Sequence, residues 1–216
     1  MSPMSEKGAA GVFSDVVARH GRVDAVINNA ACGLFGALEE LDRTDLDHMF
    51  ELNVFVPLKL MQLAAAQMRS QGSGIIVNVS SASAYLGGAG YGAYAASKAA
   101  LTALSEALLE EVTPFGVKVM LVEPGRLNTD FVVNSSVHKS TNGSPYASHV
   151  GRSLRAIVNQ RQVAAAKVDD VAREIVALIA SDSVPFRYFV GGGVGDIIRE
   201  KIASVERYLT ASSHAE

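Results

Sequence analysis

Residues Val77 to Leu101 read VNVSSASAYLGGAGYGAYAASKAAL. A β-branched run gives way to a loop of Ser, Ala and Gly and then to an alanine-rich segment, so the stretch passes from strand through loop to helix. Within the helical part Tyr94 and Lys98 stand four residues apart, which at 3.6 residues per turn places them on one face, one turn from each other. A phenol titrates near ~10 in water, and a cation held within a few ångströms favours the phenolate. The spacing therefore predicts that Lys98 lowers the pKa of Tyr94, and it makes this unit the candidate chemical centre.

The same rhythm continues on both sides. Upstream, Val12, Phe13, Val16 and Val17 form a helical stripe that Gly21 ends. Ala25-Val26-Ile27 is an apolar run without alternation, as expected of a parallel strand covered on both faces, and it leads into Asn28-Asn29-Ala30-Ala31. Thr44 reads as the N-cap of a helix running toward Asn53, and Pro57 as part of the first turn of the next helix, which Gly72-Ser73-Gly74 closes. Ile75 to Val79 is a second strand, the helix after the quoted loop runs to about Glu111, and Val117 to Val122 is a third strand after the turn at Thr113-Pro114-Phe115-Gly116. Residues 131–148 carry Ser, Asn, Thr, Gly and His without an apolar period and read as a mobile loop over the site. Helical stripes at Val150 to Val158 and Val168 to Leu178, a last strand at Phe186 to Val190 and a final helix after Gly191 to Gly195 complete the chain. This alternation predicts an α/β fold, a doubly wound parallel sheet of Rossmann type, with ligands at the carboxyl ends of its strands, where Ser81, Asn29 and Pro124 fall. The chain reads as one domain over 1–216, with 1–11 disordered.

Composition narrows the function classes. The chain has 216 residues, 49% of them hydrophobic and 19% charged, which is enough for one sizeable core. A net charge of −3 provides no broad basic surface for nucleic acid. The one cysteine, Cys32, has no disulfide partner within the chain and reads as a small packed residue without a neighbouring lysine or histidine. The five histidines lack metal-ligand spacing, so no metal is expected. No secretory leader or membrane-spanning apolar run is visible, and the expected location is the cytoplasm.

Five features in order now carry a family resemblance: Asn28-Asn29-Ala30 after the first strand, Asn53 in Glu51-Leu52-Asn53-Val54, Ser81 thirteen residues before the tyrosine, Tyr94-Ala95-Ala96-Ser97-Lys98, and Pro124-Gly125 with Thr129 beyond. The chain resembles the short-chain dehydrogenases/reductases over roughly Val12 to Val190. The resemblance implies a nicotinamide cofactor, NAD or NADP, and a small, partly lipophilic ketone or secondary alcohol as substrate. It makes Tyr94 the general acid/base, Lys98 its tuner, Ser81 a hydrogen-bond donor to the substrate oxygen, and Asn53 the holder of a water that links Lys98 to solvent. Asn28, Ala30, Tyr94, Lys98, Pro124, Gly125 and Thr129 would line the cofactor, and Leu86 to Ala89 with residues 131–148 the substrate. A homo-oligomer through the helices after Asn53 and around Lys98 is also implied.

One departure is large. Family members open with a strand, a glycine-rich turn and a helix whose N-terminus holds the pyrophosphate, and no such turn occurs here. The segment corresponds to about the first third of the family's fold, so either the chain is truncated or Met1 is a misplaced start. Gly191 to Gly195 does not replace the turn, since Asp196 stands where Gly-x-Gly-x-x-Gly needs its last glycine. Without the first strand, the strand at Ala25 becomes a sheet edge open to association. Ala31, where the family has glycine, weakens the match at that turn. Besides the oxidoreductase, two readings stay open: a cofactor-free acid/base catalyst on the same Ser-Tyr-Lys set, and a catalytically silent remnant that pairs with another chain.

Overall fold

The computed structural model describes residues 5–127, 129, 131, 135–137, 143–159 and 166–212. Its centre is a parallel sheet of β1 (Ala25–Asn28), β3 (Gly74–Val79), β4 (Val117–Pro124) and β6 (Arg187–Val190), in the order β1-β3-β4-β6. All four strands pair in parallel, so their carboxyl ends, at Asn28, Val79, Pro124 and Val190, open onto one rim. That is the rim at which an open α/β sheet receives ligands.

Period-two alternation divides the sheet's side chains between two layers. Ile76, Val117 and Val119 pack with Phe13 of α1 (Glu6–His20), Met61, Ala64 and Met68 of α3 (Val56–Gln71), and Leu101, Leu108 and Val112 of α4 (Gly92–Val112). Ile75, Val77, Met120 and Val122 face the other way, against Ile175, Leu178 and Ile179 of α6 (Val168–Ile179). The α/β, Rossmann-like reading is thus the observed architecture. β2 (Leu34–Phe35) pairs in parallel with β5 (Ser136–Val137) as a separate two-stranded sheet, which the sequence reading had left within loops.

Several local expectations are corrected. The helix at the start begins at Glu6, with the Ser5 side chain accepting from the Gly8 N–H at 3.1 Å, so residues 5–11 are ordered by an N-cap rather than disordered. α2 (Arg43–Phe50) is capped at Asp42, not Thr44. β1 is covered on one face only: Val26 packs toward α3, whereas Ile27 is 49% exposed, because no described helix lies over that end of the sheet. Within the segment read as a mobile loop, 131–148, Ser136–Val137 form β5 and the Tyr146 hydroxyl donates to Glu39; residues 132–134 and 138–142 of that segment lie outside the described residues. Arg43–Gln71 forms one helical run of 29 residues that is long and apolar enough to cross a membrane by length and composition, contrary to the sequence reading. Its Met49, Leu52, Met61, Ala64 and Met68 are buried in the protein's own core, as in the core helix of a globular domain.

The layers are registered by buried polar groups. Asn28 donates from Nδ2 to Asn78 Oδ1 at 2.7 Å, Asn78 donates to Ser105 Oγ at 2.8 Å, and Ser105 donates to the Leu101 carbonyl at 2.7 Å. The chain runs from β1 through β3 to α4, with each donor matched to an acceptor. Asn78→Ala removes the middle of this chain and strands two partners. The expected loss is about 2 to 3 kcal/mol of stability in urea unfolding; a loss within error of zero would show that the chain does not register the layers.

Candidate active site

Ser81 follows directly on Ser80 at the carboxyl end of β3. Its extended backbone (φ −169, ψ 152) caps a 3-10 turn at Ala82–Ala84, and its Oγ accepts from the Ser83 N–H at 3.1 Å. The hydroxyl hydrogen is then available to Tyr94, whose phenol Ser81 acts to hold lower in pKa. Tyr94 lies in the first turn of α4, 9% exposed, with its ring flanked by Phe35 and Phe131 at centroid distances of 5.9 and 5.3 Å. Lys98, one turn on, is 3% exposed and donates from Nζ to the Val79 carbonyl at 2.8 Å. Ser80 fixes the same turn of α4 by donating to the Lys98 carbonyl at 3.1 Å. One strand end and one helix face thus bring Ser81, Tyr94 and Lys98 together.

The electrostatics reverse one expectation. Burial pushes the Tyr94 phenol up to about 12, opposed by the Ser81 side chain, and Lys98 makes no resolved contribution to it. The ammonium is directed at a strand carbonyl, and it is itself pulled down to about 8 by burial. Desolvation disfavours both charged forms, and at this site it exceeds the pairing that the four-residue spacing promised. Cys32 is half-buried and close enough for its thiol to feel Lys98, a neighbour the sequence reading had denied it; burial nevertheless raises its pKa.

The other expected residues divide into two groups. Asn53 sits in a π turn (Glu51–Phe55) between α2 and α3, where the Val56 N–H reaches back to the Glu51 carbonyl. Its side chain accepts from the Cys32 N–H at 2.9 Å and donates to the Cys32 carbonyl at 2.8 Å and to Ser97 Oγ at 3.0 Å, so it braces the segment after β1 against α4. Its backbone carbonyl has no α-helical donor four residues on, since residue 57 is proline. Asn28 points into the sheet toward Asn78, while Asn29 and Ala30 are exposed on the rim. Pro124 ends β4, and the Gly125 N–H donates to the Val190 carbonyl at 2.8 Å. A Cβ on Gly125 would lie 2.4 Å from the Gly192 carbonyl oxygen, so only glycine fits there. Thr129 Oγ1 accepts from the Phe131 N–H at 3.4 Å and keeps its own hydrogen to donate.

The Thr129 hydroxyl, the strand-end backbone at Pro124 and Gly125 and the buried Lys98 are groups of the kind that fit the nicotinamide end of a dinucleotide. The pyrophosphate end finds no comparable cradle among the described residues. Gly191 and Gly193 have positive φ (86° and 80°), but the Gly191 Cα packs against the Arg126 carbonyl, and Asp196 at the following helix start bonds to Arg199, leaving an acid where phosphate would sit. Sequence reasoning missed the Phe35 ring beside Tyr94 and the buried Glu123, whereas Phe131 begins the segment expected to line the substrate. Alternating apolar residues around Leu34-Phe35 are too few to have flagged the first.

A parallel sheet with a half-buried serine and a buried tyrosine and lysine at its carboxyl rim defines a class of α/β proteins. The sequence profile of the short chain dehydrogenase family matches residues 4–140, and the chain belongs to that family. A 3-ketodihydrosphingosine reductase of Bacteroides thetaiotaomicron is 34% identical over 82% of this chain, which spans 65% of that relative's length. The crystal structure of a short-chain dehydrogenase from Streptomyces avermitilis superposes with a TM-score of 0.85 at 37% identity, covering 100% of this chain and 77% of that one. A short-chain dehydrogenase/reductase of Burkholderia phymatum in complex with NAD shares the fold, with a TM-score of 0.81 at 21% identity over 96% of this chain and 75% of its own.

The buried lysine has a measurable consequence. Lys98 releases its proton near 8 when folded and near its ordinary 10.5 when unfolded. Between these values the unfolded chain binds more protons, so stability rises with pH. Tyr94 acts oppositely from about 10 to about 12, where the folded protein keeps a proton that the unfolded chain has lost. Urea unfolding should therefore show wild-type protein gaining about 2 kcal/mol relative to Lys98→Met between pH 8 and pH 10. A constant difference between the two across this range would contradict the depressed lysine.

Proposed function

We propose that this protein is an NAD(P)-dependent oxidoreductase that interconverts a small, partly lipophilic ketone and its secondary alcohol. The observation that supports this best is the buried Tyr94 phenol, under the influence of Ser81 and one helical turn from the buried Lys98 at the open rim of the sheet. Bound nicotinamide supplies or accepts the hydride. Tyr94 delivers the proton to the substrate oxygen in reduction and removes it in oxidation, and the Ser81 hydroxyl donates to the same oxygen as negative charge grows on it. Lys98 carries the neighbouring positive charge. The Asn53 carbonyl is the group that would hold a water on the way to solvent, because its side chain is committed to Cys32 and Ser97. Ala30, Pro124, Gly125, Thr129, Tyr94 and Lys98 would lie along the cofactor; Asn28 supports that wall from inside the sheet.

The substrate side is apolar and aromatic. Phe35 and Phe131 flank Tyr94, and Cys32, Tyr91 and Leu154 pack around the same cluster. Such a wall favours a neutral carbonyl compound, in keeping with the keto substrate in the name of the Bacteroides relative. We place the protein in the cytoplasm as a homo-oligomer through α3 and α4. The exposed Ile27 at the outer end of β1 also favours a second reading, a chain that completes its sheet by pairing with another polypeptide. A concentration-independent monomer in sedimentation would exclude that second reading.

Titration with NADH and with NADPH, followed by nicotinamide fluorescence, should saturate with at least one of them. In the presence of that cofactor, Tyr94→Phe should lower kcat for ketone reduction about 100-fold or more, the range for loss of a positioned acid/base. Flat titrations with both cofactors, or a Tyr94→Phe variant of normal activity, would overturn the proposal.

A further inference from the structure

Glu123 has no part in the proton chemistry above, yet it immediately precedes Pro124 at the rim end of β4. It is 0% exposed in a strand whose other buried residues are Val117, Val119, Met120, Leu121 and Val122. Removing a carboxylate from water is costly even when it is paired, and an apolar residue of similar volume commonly serves stability as well or better. What a charge adds here is direction. Arg187 on β6 donates from Nη1 to both Glu123 oxygens at 3.0 and 2.8 Å, and Tyr85 donates its hydroxyl to Oε1 at 2.8 Å. Arg187 also bonds to the Tyr85 oxygen and to Glu106 on α4, and its guanidinium carbon lies 5.9 Å from the centre of the Tyr85 ring. Both the ring and the hydroxyl of Tyr85 are thereby held.

Tyr85 closes the short turn that Ser81 opens. The Ala84 N–H donates to the Ser81 carbonyl at 3.0 Å and the Tyr85 N–H to the Ala82 carbonyl at 3.2 Å, so the serine and the anchored tyrosine share one hydrogen-bonded unit. We propose that Glu123, Arg187 and Tyr85 form a positioning cluster that fixes this turn to the end of β4, so that the Ser81 hydroxyl meets Tyr94 and the Pro124-Gly125 rim in a single arrangement. None of the three touches a reacting atom, and the functional half of the inference rests on the reading of Ser81 given above.

Tyr85→Phe keeps the ring and removes only the anchor. Amide hydrogen exchange should accelerate at least tenfold at Ser83 to Leu86 and stay unchanged along β4, with the urea midpoint nearly constant. With acetophenone and the cofactor that binds, kcat should fall at least tenfold while KM stays within twofold. Glu123→Gln, which keeps an acceptor for Tyr85, should show smaller changes of the same kind. Unchanged exchange at Ser83 to Leu86 overturns the inference whatever the activity. So does faster exchange with unaltered kcat, or faster exchange spread over β4 and β6 with a lowered midpoint, which marks a purely structural cluster. If the wild-type chain turns over no ketone, the oxidoreductase reading fails by itself, and the exchange result alone decides whether the cluster holds the turn.

Discussion

The contact on which the site depends is the docking of α4 against the end of β3. It is made by polar groups in an otherwise apolar layer: Ser80 to the Lys98 carbonyl, Lys98 to the Val79 carbonyl, and Asn78 to Ser105. Apolar packing alone is non-directional and tolerates sliding, whereas these bonds are satisfied at one register of helix on strand. That register determines where the first turn of α4 lies, and with it the distance from Tyr94 to Ser81. Asn53 adds a fourth support by bonding both Cys32 and Ser97, so the loop after β1 is tied to the same helix.

The same burial that fixes the geometry governs the chemistry. Tyr94 and Lys98 are both shielded from water, and each is held in its neutral direction, the phenol up to about 12 and the amine down to about 8. In this state the tyrosine is a poised acid rather than a phenolate, which suits delivery of a proton to a carbonyl oxygen. Ser81 is the only partner resolved as lowering the phenol's pKa, which gives the placement of that one hydroxyl more weight than the sequence spacing implied.

Much of this fold was legible in the sequence because the strands are buried and the helices periodic. Ile75 to Val79 and Val117 to Val122 were read within two residues of their observed ends; the helix at Val168 announced itself by its apolar stripe and the one at Gly92 by its alanines. Tyr94 and Lys98 were singled out by their local spacing, and Ser81 by the family resemblance. What escaped was either very short or distant in sequence. β2 and β5 contribute two residues each, too few for a period, and they pair across about a hundred residues. The Tyr85, Glu123 and Arg187 cluster joins three separate elements, and nothing local distinguishes Glu123 from a solvated strand-end acid. Side-chain destinations were equally out of reach: Asn28 turns inward to Asn78, Lys98 turns to Val79, and Ile27 lacks the covering layer that its apolar neighbours led one to expect.

Burial, rather than the lysine one turn away, sets the proton affinity of the candidate acid. Carbon-13 labelling of the tyrosine Cζ positions, with Tyr94 assigned by its loss in Tyr94→Phe, reports this directly as pH is raised on the folded protein. The Tyr94 signal should stay at its protonated position through about pH 10.5 and begin to move only as pH approaches about 12. A midpoint at or below ~10, the value of a free phenol, would contradict it and restore Lys98 as the controlling charge.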